Sequence, residues 1–128
     1  MIVVSDTTPI ISLLKADHLE LLEKLYGKVL MPEAVYQELI GNPAYEREAE
    51  IIKNAKFLCV IPVENVKSVS VLRCITGLDL GESEALIMYD EQKADLLLMD
   101  ERKGRKVAKQ LKARYIGTAG TVTGSSTP

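Results

Sequence analysis

The chain has 128 residues, 47% of them hydrophobic and 27% charged, and a formal net charge of −2. That length and balance suit one soluble domain, and every apolar run is far shorter than the roughly 20 residues of a membrane-spanning helix. Ile2-Val3-Val4 gives way at once to Ser5 and Asp6, without the long apolar stretch of a secretory leader, so the expected location is the cytoplasm.

The elements follow in order. Continuous aliphatic or β-branched runs at Ile2–Val4, Lys28–Met31, Phe57–Ile61, Asp95–Met99 and Arg114–Ile116 suit strands buried on both faces of a parallel sheet. Between them lie helix signals. Thr8 is expected to cap a first helix with Pro9 at its first position, and Asp17 with Glu20 makes a capping-box-like pair ahead of Leu19, Leu22 and Leu25, stopped by Gly27. Pro32 opens a helix through Ile40, and Asn42-Pro43 opens a polar one to about Ala55. Residues 62–79 carry only scattered valines and read as irregular structure or a short helix. Gly81 to about Lys93 and Arg102–Lys112 are again helical. The fold class expected is α/β, a three-layer sandwich with a mostly parallel sheet of about five strands flanked by helices. Residues 1–122 form the single domain, and 123–128 a flexible tail.

In such sheets ligands gather beyond the carboxyl ends of strands, where Asp6 and Asp100-Glu101 stand. Either position also suits helix capping. Glu84 lies between Leu80, Ile87 and Met88 on a helical wheel, so a carboxylate sits on an apolar stripe and needs a cation, a metal, a second acid or a salt-bridge partner. Glu82 reads as a first-turn acid favoured by the helix dipole, in reserve for the same site. Glu38 sits at the edge of the apolar face of its helix. Carboxylates without His or Cys favour a hard, oxygen-loving cation, Mg²⁺ or Mn²⁺. Two cysteines, Cys59 and Cys74, lack Cys-x-x-Cys spacing and have only His18 to help, so a zinc site and a disulfide framework are excluded and both thiols are expected free and buried. Phosphate-loop and dinucleotide motifs are lacking.

Charge is uneven along the chain. Residues 102–114 hold seven of the 16 basic side chains and no acid. Arg102, Lys103, Arg105 and Lys106, next to Asp100-Glu101, are placed to hold a nucleic-acid backbone or to neutralise the acids.

These blocks resemble the PIN-domain family. Ile-Val-Val-Ser-Asp-Thr-Thr-Pro (2–9) is similar to its opening strand and helix. Val-Leu-Met-Pro-Glu-Ala-Val-Tyr-Gln-Glu-Leu (29–39) resembles the second strand and the helix whose acid maps to Glu38. Leu-Gly-Glu-Ser-Glu-Ala-Leu (80–86) and Ala94 to Arg105 resemble the third and fourth acidic segments, and Ile-Gly-Thr-Ala-Gly (116–120) the last strand and turn. The wording is nearest a prokaryotic branch similar to the ribonuclease toxins of toxin–antitoxin pairs.

The resemblance implies a Mg²⁺- or Mn²⁺-dependent endoribonuclease, a homodimer, and an antitoxin protein as partner. Asp6, Glu38, Glu84 and Asp100 would hold one or two ions with Glu101 as a fifth acid, and Thr7 would position water. Glu84 and Glu101 stand where many relatives have Asp, and relatives commonly continue beyond the final turn. A competing expectation is therefore a PIN-fold module, inactive or truncated, that binds RNA or an antitoxin without turnover. A small-molecule-binding α/β domain is a third.

Overall fold

A computed structural model describes residues 1–100 and Arg102, together with the strand pairing of residues 115–116 and 122–123. Strands β1 (Val3–Ser5), β2 (Val29–Pro32), β3 (Leu58–Ile61), β4 (Leu96–Leu98), β5 (Tyr115–Ile116) and β6 (Val122–Thr123) form one sheet in the order β3-β2-β1-β4-β5-β6. All neighbours are parallel except β6, which runs antiparallel to β5. The sheet thus has six strands against about five expected. The extra one, two residues long, is too short to leave a hydrophobic pattern, and it takes in Thr123, where the expected tail begins.

Helices cover both faces. Alternate residues of each strand face opposite ways. Val3, Val29, Met31, Leu96 and Leu98 meet α1 (Thr7–Lys15), α2 (Glu20–Tyr26), α3 (Glu33–Gly41) and α4 (Glu46–Asn54) on one side. Val4, Leu97 and Met99 meet α5 (Val66–Thr76) and α6 (Leu80–Glu91) on the other. The sandwich is the one expected, and burial of both faces explains why the strands read as continuous apolar runs. No helix among the described residues is long and apolar enough to cross a membrane.

Several local expectations are corrected. Asp6, in extended conformation, holds the N-cap position of α1 instead of Thr8, so Pro9 is third in the helix, where its missing N–H still costs nothing. Leu19 precedes α2, and Asp17 instead turns the chain at φ 59°, a left-handed conformation that Asp tolerates. Gly27 does stop α2, at φ 74°. The Asn42-Pro43 start gives first a 3₁₀ turn, Pro43–Tyr45, and then α4. Residues 66–76 are a full helix, capped by the Asn65 side chain on the Ser68 N–H and closed by left-handed Gly77. Its buried stripe is only Val69 and Leu72, too thin to show as a period. Cys74 is exposed and Cys59 half-buried, not buried as expected. The helix expected at Arg102–Lys112 lies, apart from Arg102, outside the described residues.

Candidate active site

The carboxyl edge of the sheet is where β1, β2 and β4 end together. β1 and β4 are in register from Val3–Leu96 to Ser5–Leu98, and the Asp6 N–H donates to the Leu98 carbonyl at 2.9 Å. Asp6 and Asp100 therefore leave adjacent strands at the same end. α3 starts there as well, directly after Pro32.

A small pocket of about 200 Å³ lies at this edge, lined by Asp6, Thr7, Glu38, Asp79 and Glu82, with Thr8, Ile11, Ser12 and Tyr45 forming the rest of its wall. Asp6 is only 3% exposed. Burial is the main reason its carboxyl is pushed up to about 7; Glu82, Asp79 and Glu38 add to the rise, while a hydrogen bond from the Thr7 backbone opposes it. No Lys or Arg among the described residues lines this pocket.

Each acid is held by a protein donor. The Thr7 hydroxyl donates to Glu38 Oε2 at 2.8 Å. Asp79 and Glu82 form a reciprocal capping box at the start of α6: Asp79 Oδ1 accepts from the Glu82 N–H at 2.8 Å, and Glu82 Oε1 from the Asp79 N–H at 2.9 Å. Glu84 Oε1 accepts from the Ala34 N–H, in the first turn of α3, at 3.1 Å. Asp100 Oδ1 accepts from the Arg102 N–H at 3.0 Å.

Glu82 and Glu84 of α6 thus divide differently from their reading in the sequence. Glu82 is 5% exposed and shares the pocket with Asp6 and Glu38. Glu84 is half-buried and lines an adjoining groove with Glu33, Gln37 and Glu38. Its partner is a backbone N–H, none of the four kinds expected. Asp79 was missed altogether, although the Asp-x-x-Glu spacing of residues 79–82 is a capping-box signal in plain sequence. Glu101, Lys103, Arg105 and Lys106 lie outside the described residues; Arg102 is exposed.

The donor set is oxygen only, which in kind fits a hard divalent cation. Among the described residues no three acidic, His or Cys side chains converge closely enough to enclose an ion. An oxygen of each of Glu38, Asp79, Glu82, Glu84 and Asp100 accepts from a protein donor instead.

A family model described as a PIN domain matches residues 2–125. The chain belongs to the PIN-domain family. A solved chain with which this PIN domain shares its fold comes from a toxin–antitoxin complex from Klebsiella pneumoniae: TM-score 0.61, 17% identity, covering 79% of this chain and 88% of that one. No match was found among the curated proteins. Family and fold agree with the resemblance, which runs from residue 2 to about 122.

Proposed function

We propose that this PIN domain is a Mg²⁺- or Mn²⁺-dependent endoribonuclease, the toxin of a toxin–antitoxin pair, acting in the cytoplasm as a homodimer until an antitoxin covers its site. The observation that carries the reading is the pocket at the carboxyl edge of the sheet, where a buried Asp6 sits among Glu38, Asp79 and Glu82 with no cationic side chain in the described lining. The toxin–antitoxin complex that shares its fold supports the partner.

Asp6, Glu38 and Asp100 are the proposed ion ligands, with Glu82 joining them from α6. Glu84 and Glu101 stay in the proposed set at its margin, Glu84 because it already holds the start of α3. These carboxylates would hold the cation, which when bound would supply an activated water and offset charge building on the scissile phosphate. Thr7 fixes the Glu38 carboxylate and so sets where that ligand stands. Arg102, Lys103, Arg105 and Lys106 hold the RNA backbone beside Asp100. One observation favours a module without turnover, namely that no three described acids converge as they stand.

Cleavage of a labelled, structured RNA in Mn²⁺ or Mg²⁺, and in EDTA, decides between them. Metal-dependent cutting is expected, lost by roughly a hundred-fold or more in Asp6→Asn, Asp100→Asn and Glu82→Gln, and reduced less in Glu84→Gln. Each variant is checked for folding by circular dichroism. A folded wild type that does not cut leaves the binding module as the function; variants that cut as well as the wild type show that the cutting does not come from these acids.

A further inference from the structure

We propose that Tyr45 and Ile11, in the wall of the acidic pocket, form a nucleobase subsite, so that the site takes a single-stranded, unstacked nucleotide next to the phosphate it attacks. The proposal rests on the nuclease reading for the phosphate, but its recognition step is separable from turnover.

The described lining of the pocket is of two chemical kinds. Asp6, Asp79, Glu82 and Glu38 are carboxylates; the other described lining residues, Ile11 and Tyr45 with the hydroxyls of Thr7, Thr8 and Ser12, carry no charge. Thr8, Ile11 and Ser12 fall at i, i+3 and i+4 of α1, so they share one helix face. With a divalent cation on the carboxylates, as the nuclease reading requires, such a pairing would suit a nucleotide, in which a charged phosphate is joined to a flat, weakly polar ring. A bare phosphate or a small anion has no use for the aromatic side.

Among the described residues Tyr45 is the single aromatic in this lining, in a chain with only five Tyr, one Phe and no Trp. Its backbone is fixed. The Asn42 side chain accepts from the Ala44 N–H at 2.9 Å, the Tyr45 N–H donates to the Asn42 carbonyl at 2.9 Å, and Pro43 opens the turn. Tyr45 is half-buried and packs against the core on the α1–α4 side of the sheet. A half-buried ring in the pocket wall, on a backbone held in place, offers a surface for stacking, and stacking is tolerant of base identity. At about 200 Å³ the pocket is below the roughly 300 Å³ at which pockets for drug-sized ligands begin. A duplex does not enter it, whereas a base splayed from a loop or a single strand does.

The test uses a labelled RNA octamer and the same octamer with one internal base replaced by an abasic ribose. Binding is read by fluorescence anisotropy in Ca²⁺, and cleavage in Mn²⁺. Wild-type protein is expected to bind the intact strand roughly ten-fold more tightly than the abasic one. Tyr45→Leu, which keeps an apolar side chain against the core, removes that difference, and Tyr45→Phe keeps it. In cleavage the Leu variant shows the loss in KM, with kcat changed far less. Equal weakening of both strands by Tyr45→Leu, or no change in either, overturns the subsite. A base-dependent effect in a protein that does not cut removes the nuclease reading and leaves the subsite standing. Failure of the wild type to bind either strand overturns both.

Discussion

Gly81 decides how close the first turn of α6 comes to Glu38. A Cβ built on it would lie 3.1 Å from Glu38 Oε2, the same oxygen that accepts the Thr7 hydroxyl. In Gly81→Ala the flexible carboxylate gives way by a few tenths of an ångström, while the helix gains from alanine's better propensity, up to about 1 kcal/mol. Thermal melts are therefore expected to show unchanged or higher stability, and the RNA assay a several-fold loss of activity; retained activity would mean that the position of Glu38 does not matter. Thr7→Val strips the carboxylate of its hydroxyl donor and should lower stability by about 1–2 kcal/mol in denaturant titration, with Thr7→Ser close to wild type. Both residues stood out in the sequence, each for a reason of its own. Their pairing across 31 positions did not, because no local period records which helix edge meets the end of β1.

At the scale of elements, the strands were legible because a strand covered on both faces needs aliphatic residues at every position, as Val3-Val4 and Leu96-Leu97-Leu98 show. α6 was legible as a helix but not in its rotation: Leu80, which made Glu84 look inward, is 43% exposed, and Glu82 is the buried acid. α5 was hidden because much of its apolar content, Val66, Val71 and Ile75, faces out. What anchors its start is an acid at the far end of α6. Glu91 accepts from the N–H of Glu64 at 3.0 Å through Oε1 and from that of Asn65 at 2.7 Å through Oε2. Glu91→Ala leaves those two donors to water, and because they are exposed the cost should be only about 1 kcal/mol. Hydrogen exchange should quicken at residues 64–68 and stay slow in β1 and β4. Equal quickening everywhere would show that α5 does not open separately from the sheet.

For the whole molecule, the strand order has a consequence for stability. Setting β1 between β2 and β4 buries the end of β1, so Asp6 lies where a charge is poorly solvated and three other acids raise its carboxyl further, to about 7 against an ordinary 3.8. Below about pH 4 the carboxyl is protonated in folded and unfolded chains alike, and this group does not affect their balance. Between about pH 4 and 7 the unfolded chain gives up the proton while the folded one keeps it, so folding stability falls as pH rises. Above about pH 7 the loss is complete, at most about 4 kcal/mol for a difference of this size. Asp6→Asn has no such proton, so its melting temperature should exceed that of the wild type at pH 8, the two converging towards pH 4. A divalent cation that binds this carboxylate offsets the same charge, so Mg²⁺ or Mn²⁺ should raise the wild-type melting temperature at pH 8 and leave the Asn variant nearly unmoved. Parallel pH profiles for the two proteins would mean that Asp6 is ionised at little cost in the fold. A cation effect shared equally by both would place the ion elsewhere.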